Sequence, residues 1–206
     1  MTPETRQEKF NSQTHALYAE LGRFVVSFEE LVAEMRQMTS LLAADGTAPN
    51  HGRQQQVANI FTANLTADPL AKAFRSILIL ALESYQPQSQ VPEIKNLLSD
   101  LFSRITAINQ IRNKFLHGTW HINYATQEQQ DFSQAKGIKL SNTADGLRIT
   151  QLDESAESFL KSTEECKTIR DIVRDISICI VTKTDILQLF RYENKKLTRV
   201  IHSIDS

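Results

Sequence analysis

The stretch PEIKNLLSDLFSRITAINQIRNKFLHG, residues 92–118, decides how this chain folds. Pro92 suits the first turn of a helix, where its missing N–H is an orphan donor in any case. From there Ile94, Leu97, Leu98, Leu101, Phe102, Ile105, Ile108, Phe115 and Leu116 recur at helical spacing, up to His117 and Gly118. At about 100° per residue from Ile94, Leu98 falls near 40°, Leu101 near 340°, Ile105 near 20° and Ile108 near 320°. By the same count Arg112 falls near 0°, in the middle of the apolar stripe, while Asn113 at about 100° and His117 at about 140° lie at its edge. A guanidinium on an apolar face is costly unless it is paired or lies at a wet cleft or interface. Arg112 is therefore expected to point into a partly buried groove or a subunit interface.

Upstream, three more helical patterns precede this one. Leu17, Leu21, Phe24, Val25, Phe28, Leu31, Val32, Met35 and Leu42 predict a first helix over Thr14–Ala44, stopped at Asp45-Gly46. Residues 47–52, with Pro49, read as a loop. Arg53–Leu65 reads as a second helix with Val57, Ile60, Phe61 and Leu65 on one face. Asp68-Pro69 is a helix start, Asp68 as cap, and the third helix runs to Tyr85 before Pro87. Its dense apolar content (Leu70, Phe74, Ile77, Leu78, Ala81) predicts a central place in the bundle.

Downstream the period changes. Residues 119–124 (Thr-Trp-His-Ile-Asn-Tyr) alternate and are rich in β-formers. Residues 137–140 and 146–150 flank the turn signal Asn142-Thr143-Ala144-Asp145-Gly146, which predicts a hairpin. Asp153 or Ser155 then caps a last helix over 156–192, with Phe159, Leu160, Ile169, Val173, Ile176, Ile180, Leu187 and Phe190 on its face. A basic tail follows over about 193–206, with Lys195, Lys196 and Arg199. The expected fold class is all-α: one domain over 1–206, an up-and-down bundle of about five helices, with a small β-insert near 119–151 between helices four and five.

Composition narrows the function classes. Lys and Arg number 23 against 24 Asp and Glu, a formal net charge of −1. A protein held on nucleic acid by phosphate neutralisation usually carries a basic excess or a basic face. The balance argues against a high-affinity, non-specific nucleic-acid binder and leaves a local basic cleft open. Cys166 and Cys179 form no C-x-x-C pair and no zinc-type spacing, so they read as reduced core thiols and no metal or cofactor is expected. The polar N-terminus and the short apolar runs predict neither a signal peptide nor a membrane span, hence a cytoplasmic protein.

The residue types at the end of the fourth helix suit one reaction. RNA transesterification needs a base at the 2′-hydroxyl, an acid at the 5′-leaving oxygen and positive charge for the phosphorane. Histidine titrates near neutrality, and arginine is a permanent forked donor to phosphate oxygens. Arg112-Asn113-Lys114-Phe115-Leu116-His117 resembles the Arg-x4-His signature of the HEPN superfamily. His117-Gly118-Thr119-Trp120 is similar to the helix-to-strand junction of bacterial HEPN-like proteins, and residues 22–28 (Gly-Arg-Phe-Val-Val-Ser-Phe) to their first long helix. The motif itself covers about ten residues.

The resemblance implies a homodimer in which the motif helices of two subunits meet and their Arg and His residues line a composite cleft. Arg112 would bind and stabilise the phosphate, His117 would be the acid/base, and Asn113 is the polar residue after the Arg. RNA is the implied substrate, cut without a metal to leave a 2′,3′-cyclic phosphate. The implied roles are toxin–antitoxin systems, with an antitoxin or other protein partner, antiphage defence and RNA processing. Lys114 and His121 are weaker RNA-binding candidates.

Ordinary readings compete for the same residues. Arg112 could form a structural ion pair with Glu83 or Glu34. His117 could be a helix C-terminal residue favoured by the dipole. Trp120 reads as packing between bundle and sheet, with His121 on the opposite strand face. The alternative function is a catalytically inactive HEPN-fold module binding a partner protein or nucleotide. A third is an antitoxin-like subunit acting through its amphipathic helices. His15, His51 and His202 have no ligand spacing.

Overall fold

The structure, a computed structural model, describes residues 3–44, 51–85, 89–122, 131–143, 146–193 and 196–200. Five helices form most of it: α1 (Pro3–Ala43), α2 (His51–Ala63), α3 (Ala67–Tyr85), α4 (Val91–Leu116) and α5 (Ala156–Thr182). Between α4 and α5 lie β1 (Thr119–Ile122), β2 (Gln134–Thr143) and β3 (Gly146–Ser155), an antiparallel sheet in the order β1-β2-β3. A short 3-10 helix (Ile186–Gln188) and the antiparallel pair β4 (Phe190–Glu193) and β5 (Lys196–Arg199) follow α5. The protein is thus mainly helical rather than all-α. No helix among the described residues is long and apolar enough to cross a membrane.

The chain divides into two compact units, to both of which α1, α4 and α5 contribute. One comprises Met1–Glu29 and Gln110–Lys167. Its core is largely aromatic: Phe24, Phe28, Phe115, Phe132 and Phe159 are buried with Leu17 and Leu152. Phe159 meets Phe115 edge-on at 4.6 Å and Phe24 at 6.0 Å. Gln13 of α1 donates to Asp131 and accepts from the Phe132 N–H, which ties the chain just before β2 to the first helix. Hydrogen bonds from Ser133 hold the Asp131 carboxyl below the usual carboxylate range. β3 ends at Ser155, which caps α5 by a reciprocal pair of bonds with Ser158. Asp153, the other cap candidate, lies within β3 opposite Lys136.

The other unit comprises Glu30–Asn109 and Thr168–Ser206. Ile94, Leu97, Leu98, Leu101, Ile105 and Ile108 of α4 are all buried here, as the helical phase requires. α3 buries Leu70, Phe74, Leu78, Ala81 and Leu82. Arg174 forks onto Glu34 at 3.0 and 2.8 Å, and Arg170 reaches Glu30 at 2.7 Å, a ladder of two pairs spaced four residues apart on each helix.

Several expectations are corrected. α1 begins at Pro3 rather than Thr14, because polar residues continue a helix without marking it. α2 leaves Val57, Ile60 and Phe61 exposed, so its apparent apolar face is not a core face. Asp68 lies inside the first turn of α3, paired with Lys72, and is not its cap. α5 ends at Thr182 rather than Tyr192. Lys183 takes a left-handed conformation at φ 58°, and Thr184 N–H closes onto the Cys179 carbonyl at 2.8 Å. Asp185 then caps the 3-10 turn through the Leu187 N–H, and Ile186, Phe190 and Leu197 are buried. Within what reads as a tail from 193, Lys196–Arg199 is the second strand of a hairpin, with Arg199 paired to Asp175 at 2.9 Å. The stops at Asp45-Gly46 and Pro87, residues 123–124 of the first strand, the 144–145 turn, Lys195 and residues 201–206 lie outside the described residues.

Candidate functional site

α4 carries Arg112 into the first unit on the stripe that Ile94 to Ile108 establish, and there the aliphatic pattern meets an aromatic floor. The Arg112 guanidinium lies over the Phe28 ring, 5.5 Å from its centroid, and its side chain is 25% exposed. The apolar stripe thus continues through this position by a cation–π contact instead of an aliphatic one. Nη2 donates to Oε1 of Glu29 at 3.2 Å and Nη1 to Oδ1 of Asn113 at 3.3 Å. Nε is buried and has no acceptor among the described residues. Arg112 is thus partly buried on the stripe, which is the part of the expectation that its exposure shows. Its acidic partner is Glu29, however. Glu34 is taken by Arg174, and Glu83 pairs with Lys95 at 2.7 Å.

His117 is exposed in the turn directly after α4. Two features fix that turn. Trp120 Nε1 donates to the Phe115 carbonyl at 2.6 Å while its ring stacks on Phe115 at 4.2 Å, so the strand folds back onto the last helical turn. Gly118 supplies the close approach: a Cβ there would lie 2.5 Å from Leu152 Cδ1 and 2.8 Å from the Lys114 carbonyl. Gly137, opposite Trp120 in the β1–β2 register, has no room for a Cβ against the Thr119 carbonyl oxygen. A cavity of about 120 Å³ opens beside this junction, lined by Leu17, Tyr18, Phe115, Trp120, Ile122 and Phe159.

The candidates divide accordingly. Asn113 touches Arg112, and Lys114 is exposed. His121 pairs with Lys136 through the strand backbone, and its side chain lies outside the described residues. Sequence reasoning missed three groups. Phe28 and Glu29 belong to α1, far away in the chain, and no spacing rule links them to Arg112. Lys139 of β2 donates Nζ to the Asn113 carbonyl at 3.3 Å, which puts a second cation beside the motif. Only the strand register could have brought it there. No cluster of three or more His, Cys, Asp or Glu among the described residues could hold a metal ion.

Cys166, in the same unit, is fully buried, and burial pushes its thiol up to about 12. It is a core group, as Cys179 is in the other unit. Comparison with protein-family models, with curated proteins and with solved structures finds no match to this chain.

Proposed function

We propose that this chain is a HEPN-type, metal-independent endoribonuclease. It has an up-and-down helical bundle as its framework and acts as a homodimer whose two Arg112–His117 sets line a shared cleft. Arg112 neutralises the scissile phosphate and the phosphorane, His117 exchanges the proton at the 2′-hydroxyl or the leaving oxygen, and Asn113 orients the guanidinium. Toxin–antitoxin or antiphage defence is the matching role, with an antitoxin as the restraining partner, in the cytoplasm.

One observation carries the reading: a partly buried arginine, unsaturated in its hydrogen bonds, precedes by five residues a histidine exposed at the helix end. Dimerisation has its own support. Leu116, next to His117, is 45% exposed, and Ile138, Leu140, Leu147 and Ile149 lie exposed on one face of the β2–β3 ribbon. Four large aliphatic side chains on one free sheet face suit a protein contact.

The test is the product chemistry. RNA incubated in excess EDTA is expected to yield 2′,3′-cyclic phosphate ends, and the 2′-deoxy analogue should remain whole because its nucleophile is missing. Cutting of the 2′-deoxy analogue would exclude the mechanism. The Glu29 contact favours a second reading, the inactive interaction module, because a carboxylate already engages Arg112. An RNA that stays intact while the protein remains a dimer would favour it.

A further inference from the structure

Resting on the ribonuclease reading, we propose that Glu29 is a built-in competitor for the RNA phosphate at Arg112, and that Lys139 is the second cation of the phosphodiester seat. The chain itself contains a standard for comparison. Arg174 grips Glu34 with both arms of its fork, at 3.0 and 2.8 Å, and Glu34 is 9% exposed. That is a saturated structural pair. Arg112 holds Glu29 by one bond of 3.2 Å, and the Glu29 side chain is 53% exposed. Charge-assisted bonds settle at about 2.7–2.9 Å. The contact is long, single and wet on its acidic side.

The rest of the guanidinium is under-used as well. Nη1 spends itself on a neutral amide oxygen at 3.3 Å, and Nε has lost water without gaining an acceptor. A phosphodiester presents two non-bridging oxygens to a fork that a single carboxylate oxygen does not fill. Lys139 adds the second half of the argument. It is half-buried, its ammonium meets the Asn113 carbonyl, and no carboxylate among the described residues pairs with it. Arg112 and Lys139 thus both donate to Asn113, one to its side-chain oxygen and one to its carbonyl, and Glu29 is the carboxylate that Arg112 holds. A backbone phosphate entering there displaces Glu29 into solvent and gains both cations. Glu29 thereby sets a threshold that admits a phosphodiester and turns away weaker anions.

The probe is a fluorescein-labelled 2′-O-methyl oligoribonucleotide, which has no free nucleophile and reports binding alone by anisotropy over a salt series. Glu29→Gln is expected to bind roughly threefold to tenfold tighter than wild type, the range that loss of an exposed competing ion pair allows. Lys139→Ala is expected to bind roughly fivefold to thirtyfold more weakly, with a salt slope shallower by about 1. Lys139→Arg should restore both, which shows that charge and not strand stability is at issue. Unchanged or weaker binding by Glu29→Gln overturns the competitor. Unchanged affinity and slope in Lys139→Ala overturn the second cation, and a wild type that does not bind the probe overturns the seat. The outcomes separate from those of the nuclease reading. If unmodified RNA stays intact while the binding order holds, the nuclease reading falls and the seat stands. If RNA is cut while the binding order fails, this inference falls alone.

Discussion

Nη2 of Arg112 lies 3.2 Å from Oε1 of Glu29, and the same guanidinium lies over the Phe28 ring. The pair interrupts the aliphatic part of the α4 stripe with a charge that lies over an aromatic ring and is 25% exposed. Its weakness as a structural element is measurable against the Arg174–Glu34 pair. Glu29→Ala should cost less than about 1 kcal/mol, as exposed pairs do. Glu34→Gln should cost about 1–2 kcal/mol, because it leaves a largely buried amide opposite a cation that keeps some solvent screening. Urea denaturation of the two variants checks the order, and an equal loss would show that Glu29 is as structural as Glu34.

The glycines on either side of Trp120 in space make a sharper stability prediction. Gly137→Ala drives a methyl into the Thr119 carbonyl oxygen, which is backbone and has little freedom to give way. Gly118→Ala meets both the Leu152 side chain and the Lys114 carbonyl. Each is expected to cost about 1–3 kcal/mol, as overpacking does. Thermal melting should show losses of several degrees. Gly52→Ala, where a Cβ meets nothing within 4 Å, serves as the control and should not destabilise.

Trp120 is the single tryptophan of the chain, so it reports the junction directly. Trp120→Phe keeps an aromatic ring against Phe115 but removes the donor to its carbonyl. A loss of about 1 kcal/mol is expected, the usual net worth of such a bond. Wild-type emission should be blue-shifted and move red on unfolding. Emission already at the position of free tryptophan in the native state would contradict the packing.

The Cys166 thiol gives a pH dependence with a definite sign. Its folded pKa is about 12, raised by burial above the ordinary value of 9.0. A raised folded value means that the native state holds the proton more tightly. The contribution is fully present below about pH 9 and is lost as pH rises toward 12. In native protein at pH 8 a thiol reagent should label Cys166 slowly, and in denaturant quickly. Rapid native labelling at Cys166 would contradict the burial.

How much of this was legible in the sequence follows from which forces are local. The phase of α4 is a local property, so Ile94 to Ile108 and the half-burial of Arg112 could be read from spacing alone. The β-insert was legible from alternation, although β2 and β3 extend further than their apolar residues mark, since Gln134 and Ser155 pair through backbone only. The end of α5 was not legible. Leu187 and Phe190 continue the helical spacing of Ile180, and the left-handed stop is a lysine, Lys183, where a glycine would have announced it. At the site, Arg112, Asn113 and His117 lie together in the chain and could be found by motif. Glu29 and Lys139 reach them only through the tertiary fold and carry no signal of their own. The acidic partner chosen from sequence, Glu34 or Glu83, was wrong for the same reason.

The central claim is that Arg112 and His117 perform metal-free RNA cleavage, and the direct measurement is the single-turnover cleavage rate in EDTA for wild type, His117→Ala, Arg112→Ala and Lys72→Ala. Loss of the acid/base group is expected to slow cleavage at least about 100-fold in His117→Ala. Loss of the charge that meets the phosphorane should slow Arg112→Ala comparably. Lys72→Ala, which removes an exposed side chain of α3, should stay within about threefold of wild type, in line with a solvated side chain. Wild-type cleavage that survives unchanged in His117→Ala and Arg112→Ala would contradict the account.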